Sequence, residues 1–181
     1  MDRDFPLSLG EWAVLARVRE RPTHGWPIVR ALAADGEIGA IWTVRRASVY
    51  RALETLTAGG LIEETASETS PEGPERTIYR ATRTGRAAVD VWLAAPVEHV
   101  RDLRSALLLK LVFADRTSVD PVGMLEAQEE ILADLESGLE ARLGEAAGTD
   151  RLLLEFRLEA TRAGARFVRR QVAERGSGKH H

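Results

Sequence analysis

The chain has 181 residues, no cysteine and a formal net charge of −3. That length allows one or two domains with a real core. The absence of cysteine excludes disulfide and thiolate chemistry and suits a reducing, cytoplasmic setting. Residues 1–95 carry 12 Arg against 13 acids, and the remainder 13 basic against 15 acidic residues, so global charge gives no support to nucleic-acid binding and any anion-binding surface must be a local patch.

The opening Met1–Pro6 holds two acids with no apolar run behind them, unlike a signal peptide. The longest apolar runs, such as Ala106–Leu109, are too short to span a bilayer, so no membrane partner is expected. Ser8 stands three residues before Glu11, the spacing of a capping box. It predicts a helix through Trp12, Leu15, Ala16 and Val18 that weakens at Arg21-Pro22. A second helix follows, with Thr23 as a candidate N-cap and Pro27 tolerated in its first turn. Ile28, Val29, Leu32 and Ala33 would be its buried side and Gly36 its end. His24 has no cluster of other ligands around it, and reads as structural rather than as a metal ligand or base.

The stretch Trp42–Ile62 is the centre of the chain. Val49, Leu53 and Leu56 make one apolar stripe at helical spacing, and Gly59-Gly60 stop the helix by accepting left-handed geometry. Arg45, Arg46, Ser48, Tyr50 and Arg51 lie on it or just before it, and no acid occurs between Ile38 and Leu53. This predicts a helix with one face in a core and the other offered to an anion, the arrangement that reads double-stranded DNA in the major groove. Leu61–Glu68 and Arg76–Thr82 then read as two strands of a hairpin around the turn Thr69–Glu75. Arg76 and Arg80 fall on the same side of the second strand by its period of two.

Thr82 or Thr84 would cap the next helix, with Ala88, Val91, Trp92 and Ala95 inward and Pro96 closing it. The first domain boundary is placed there: 1–95 is one domain, 97–175 a second, and Gly176–His181 a tail resembling a partial histidine tag. The second domain reads as helical from Val97 to Ala114, a loop with Ser118 or Asp120 as cap, and two long amphipathic helices. One carries Met124, Ala127, Ile131, Leu135 and Leu139; the other carries Leu153, Phe156, Ala160, Ala163, Phe167 and Val168. Such helices bury too little alone and fit a coiled-coil-like or interlocked homodimer arm. An intramolecular helical hairpin is the alternative. There is no glycine-rich phosphate loop, zinc spacing or nucleophile elbow, and the pairs Glu63-Glu64 and Glu129-Glu130 are neighbours in sequence rather than partners across a cleft. No enzyme activity, cofactor or metal is expected.

Taken in order, His24-Gly-Trp26, Ser48-Val-Tyr50 with Leu53, Gly60-Leu-Ile62, Tyr79-Arg-Ala-Thr82 with Gly85, and Val91-Trp-Leu93 make the chain similar to the PadR family of transcriptional regulators, in its form with a long C-terminal helical arm. The resemblance implies a mainly α fold with a two-stranded β wing: a winged helix-turn-helix plus a helical dimerisation arm. It also implies a homodimer that represses a promoter at an inverted-repeat operator, relieved by small aromatic molecules. DNA contacts would map to Arg45–Arg51 and to the wing around Pro74–Arg76. Arg45 and Arg46 are the candidates for base edges or first phosphates, Ser48 for a short hydrogen bond, and Arg51 for a secondary contact. Tyr50 either donates to a phosphate or packs under the wing, and Arg76 is the wing's phosphate anchor. Trp12, Trp92, Leu93 and Leu107 are the candidates for an aromatic effector site between domain and arm. Where family members have a small cap and a glycine before the Ser-x-Tyr piece, this chain has Arg45-Arg-Ala47, so the helix start is open by a turn. The competing reading is a winged-helix protein-interaction module with no specific DNA binding, which the net negative charge would suit.

Overall fold

The computed structural model describes residues 7–68 and 76–177, and side chains over 7–65 and 77–176. Residues 1–6, the expected turn Thr69–Glu75 with Pro74, the Arg76 side chain and the last four residues of the tail lie outside these. Helices α1 (Leu9–Glu20), α2 (Gly25–Leu32) and α3 (Arg46–Ala58) come first. Strands β1 (Ile62–Glu68) and β2 (Arg76–Ala81) follow, then α4 (Arg83–Ala94), α5 (Leu108–Thr117), α6 (Val122–Leu143) and α7 (Gly148–Ser177). The fold is mainly helical with one two-stranded antiparallel sheet, as the sequence predicts.

The chain forms two compact units. The first comprises Met1–Leu93 and Leu108–Val119, the second Ala94–Leu107 and Asp120–His181. The cut after Ala95 would place α5 with the arm; by its packing α5 belongs to the first unit, where Leu109 and Phe113 join a core built on Leu15, Ile28, Leu53, Leu56 and Leu61.

Local chemistry explains the first unit. Ser8 accepts the Glu11 N–H while Glu11 accepts the Ser8 N–H, so the capping box is formed. Thr23 does not cap α2. His24 holds that position without a side-chain bond, and Thr23 exchanges backbone hydrogen bonds of 3.0 and 2.9 Å with Tyr79, pinning the start of α2 to the wing. Helix α2 ends at Leu32 rather than Gly36. The segment after it folds back, with the Ile38 N–H on the Ala31 carbonyl and the Val44 N–H on the Leu32 carbonyl. An added Cβ at Gly36 would meet the Arg30 and Ala31 carbonyls of α2's last turn, and one at Gly39 the Ala33 carbonyl just after it, which is why glycine stands at both.

At the end of α3 only Gly60 is left-handed (φ 69°), while Gly59 stays right-handed. The Gly60 and Leu61 N–H groups bond back to Thr57 and Leu56, completing a Schellman cap whose apolar partners Leu56 and Leu61 are both buried. In the hairpin Ile62 pairs with Ala81 and Glu63 with Arg80, and Thr65 is the extra residue of a bulge between Glu64 and Ala66. The Arg80 guanidinium donates to Glu63 at 2.8 and 3.0 Å across the strands. Thr82 caps α4 by accepting the Gly85 N–H. The inward face of α4 is Gly85, Val89, Trp92 and Leu93. The sequence reading turns Val91 and Ala95 inward, whereas both are exposed.

In the second unit the stretch expected to be helical from Val97 is irregular over 97–99. It then makes a 3-10 turn at Val100–Asp102 and a π turn at Leu103–Leu107. The buried Gln128 holds Val97 at both ends, accepting its N–H at 2.7 Å and donating to its carbonyl at 2.9 Å. Asp120 accepts the Val122 N–H at the start of α6. Helices α6 and α7 pack on each other within the chain, through Met124, Leu125, Gln128 and Leu132 on one and Leu154, Leu158, Thr161, Ala165 and Val168 on the other. Arg162 of α7 ties them at the surface by donating to Glu136 and Glu140. The intramolecular hairpin is therefore formed, and the stripe expected on α7 is out of phase: Leu153 and Phe156 point outward with Leu152. Among the described residues no helix is long and apolar enough to cross a membrane.

Candidate nucleic-acid interface

Helix α3 is held by its apolar side. Val49, Ala52, Leu53 and Leu56 are buried, and the three- and four-residue spacing turns Ser48, Tyr50 and Arg51 away from them, while Arg46 is exposed as the first residue of the helix; all four are exposed. The helix starts at Arg46 with Arg45 in the N-cap position and no side-chain cap. The Arg45 carbonyl accepts the Ser48 and Val49 N–H groups. An arginine side chain has no acceptor for a backbone N–H, so the α3 N-terminus keeps its positive end open beside two guanidinium groups, an arrangement that favours an anion.

Arg46 is also placed by aromatic rings. Its guanidinium carbon lies 5.9 Å from the centre of the Trp26 ring on α2 and 5.8 Å from that of the Tyr50 ring one turn along α3. Trp26 is 50% exposed and Tyr50 37%. The Tyr50 ring lies against Gly25, where an added Cβ would come 2.7 Å from Tyr50 Cε1. Tyr50 thus packs over the start of α2, which neither of its two expected roles included. The phenol of Tyr79, at the base of the wing, is pushed up by burial and by the nearby Glu64 carboxylate.

Sequence reasoning missed Trp26 and the exposed Trp42. The signal was present for Trp26: it stands two residues before the buried Ile28 and six before the buried Leu32, which turns it to the solvent side of α2. The backbone of Arg76 opens β2 opposite Glu68; its side chain is not among the described ones.

The four residues assigned to an effector are distributed differently. Trp12 and Trp92 stack, with ring centres 5.3 Å apart and planes 4° from parallel, and Phe113 meets Trp92 edge-on at 6.5 Å. A pair in face contact leaves no gap for a third ring. Leu93 is buried in the same unit's core, and Leu107 is buried in the π turn of the second unit. Lys110 is buried as well, its ammonium 5.4 Å from the Trp92 ring centre, and burial pushes it down to about 8. The groove in the second unit, of about 490 Å³, is lined by Ile131, Leu135, Gly138 and Leu139 together with the charged Glu98, Asp134 and Arg142. None of the four effector candidates lines it. Among the described residues no group of three His, Asp or Glu is placed to hold a metal.

A half-buried third helix presented beside a two-stranded wing, behind two shorter helices, defines a winged helix-turn-helix domain. Residues 14–91 match the model of the Transcriptional regulator PadR-like family. A probable transcriptional regulator of Mycobacterium tuberculosis is 26% identical over 96 residues, which is 53% of this chain and 49% of that protein. The chain thus spans about half the length of this relative. Among solved structures the chain is similar to Bacillus subtilis PadR in complex with operator DNA, at 18% identity and a TM-score of 0.49 over 92% of this chain and 99% of that one. It is also similar to a Streptococcus mutans protein, at 17% identity and 0.45 over 91% and 98%.

Proposed function

We propose that the chain is a sequence-specific DNA-binding regulator that acts as a homodimer on an inverted-repeat operator and represses the promoter there. The observation that carries this reading is the α3 surface. Arg45, Arg46, Ser48 and Arg51 are exposed on its first two turns with no acid among them, while Val49 and Leu53 anchor the helix from behind. Arg46→Ala is expected to weaken operator binding by about 1–3 kcal/mol and to relax preference at one base pair. Fluorescence anisotropy with duplexes selected from random sequence, at two salt concentrations, checks it. Specific binding that falls steeply with salt supports the reading. Equal, salt-insensitive binding to every duplex returns the chain to the protein-interaction class.

The homodimer is supported by apolar surface that the α6–α7 hairpin leaves uncovered. Phe156 is 71% and Leu152 68% exposed on α7, and Ile131, Leu135 and Leu139 line an open groove on α6. Exposed stripes of this kind need a partner. In the full-length protein, Leu152→Glu with Phe156→Glu is expected to shift sedimentation from dimer to monomer; an unchanged dimer places the interface elsewhere. The aromatic effector has its support in Trp12 alone, whose ring is half-buried, and a planar compound stacking there would quench tryptophan emission.

A further inference from the structure

The rings around Arg46 imply a specific reading head. A guanidinium over two aromatic faces is attracted by both ring quadrupoles and is confined to few rotamers. Its planar fork of donors is then aimed before any DNA arrives, so less freedom is lost on binding. A fork of this shape matches the O6 and N7 acceptors of guanine; a phosphate can also take it bidentately, and only the guanine contact depends on N7. Trp26 is half-exposed although it is the largest apolar side chain on α2, and one face of it is given to the Arg46 cation. Gly25 completes the arrangement, because only a residue without Cβ lets the Tyr50 ring lie this close to α2.

We propose that Trp26 is a positioning residue that, with Tyr50, aims the Arg46 guanidinium at one guanine of the operator. The proposal rests on the DNA-reading function above and names the base read and the device that reads it. It contributes no base contact from Trp26 itself; the indole acts through Arg46.

The test is a double-mutant cycle in the full-length protein with the preferred duplex obtained by selection, and with the same duplex carrying 7-deazaguanine at each guanine in turn. Trp26→Ala is expected to weaken binding about two- to fivefold, the worth of one exposed cation–aromatic contact. Trp26→Phe restores most of this, and Gly25→Ala, which displaces Tyr50, reproduces the loss. At one guanine the deaza substitution weakens wild-type binding but leaves Arg46→Ala unaffected. With Arg46→Ala already in place, Trp26→Ala causes no further loss. Circular dichroism confirms that each variant folds. A loss from Trp26→Ala that is the same with and without Arg46, or no loss while the wild type keeps a preferred sequence, overturns this inference alone. A wild type with no preferred sequence overturns the DNA-reading function together with it.

Discussion

Replacing Phe113 by alanine is expected to lower the unfolding free energy by about 3–5 kcal/mol, the cost of deleting a large buried aromatic and leaving its cavity. Phe113 is fully buried and is among the largest side chains in the core. Its ring meets the edge of Trp92, which in turn stacks on Trp12, so one side chain of α5 supports an aromatic series running through α4 to α1. Three residues further on, Arg116 donates to Glu20 at the end of α1 and to Glu37 in the turn behind α2, holding the Glu37 carboxyl below its ordinary range. A domain of this size has about 5–15 kcal/mol in all, so the variant loses a large share. Urea denaturation checks this, and a cost under about 1 kcal/mol would show that α5 is peripheral. The same packing bears on oligomerisation. A chain cut after Ala95 loses Leu109, Phe113 and Arg116 together, so its sedimentation would report a damaged core rather than a missing interface. Point substitutions on α7 avoid that confusion.

The parts of the fold legible in the sequence are those fixed by contacts close along the chain. Ser8 and Glu11 cap α1, Gly60 stops α3, and Val49, Leu53 and Leu56 set the phase that leaves Ser48 and Arg51 exposed. The parts that were not legible depend on what lies opposite. The run Leu107–Leu111 signals burial but not against which unit, and the chain divides within it, between Leu107 and Leu108. Leu152, Leu153 and Leu154 point three ways on α7, and only the position of α6 decides that Leu154 is the inward one. In α4, Val91 and Leu93 flank Trp92 and neither is favoured by composition; Leu93 is inward. At the candidate site the exposure of Arg51 followed from periodicity and that of Arg45 and Arg46 from their place at the helix start, but the approach of Trp26 to Arg46 is set by how α2 crosses α3, and no spacing encodes it.

Alkaline pH is expected to stabilise the folded chain through Lys110. Its side chain is buried on α5 beside the Trp92 ring, and burial pushes it from its ordinary value near 10.5 down to about 8. The charged form is therefore the one that folding disfavours. Below pH 8 both folded and unfolded chains carry the proton, and this group adds no dependence of stability on pH there. Between about 8 and 10.5 the folded chain has released the proton while the unfolded chain still holds it, so stability rises with pH through that window and levels off above it. The gain is on the order of 3 kcal/mol, at about 1.36 kcal/mol for each pH unit between 8 and 10.5. Tyr79 works in the other direction. Its phenol is raised above 10, so its proton is retained by the folded chain and stability falls as pH passes upward through that range. The difference between wild type and Lys110→Met cancels the tyrosine and isolates the lysine. Lys110→Met is expected to lack the rise between 8 and 10.5, measured by urea denaturation at half-unit steps of pH. Parallel stability curves for the two proteins across that window would mean that the Lys110 amine keeps its ordinary affinity for the proton despite its burial.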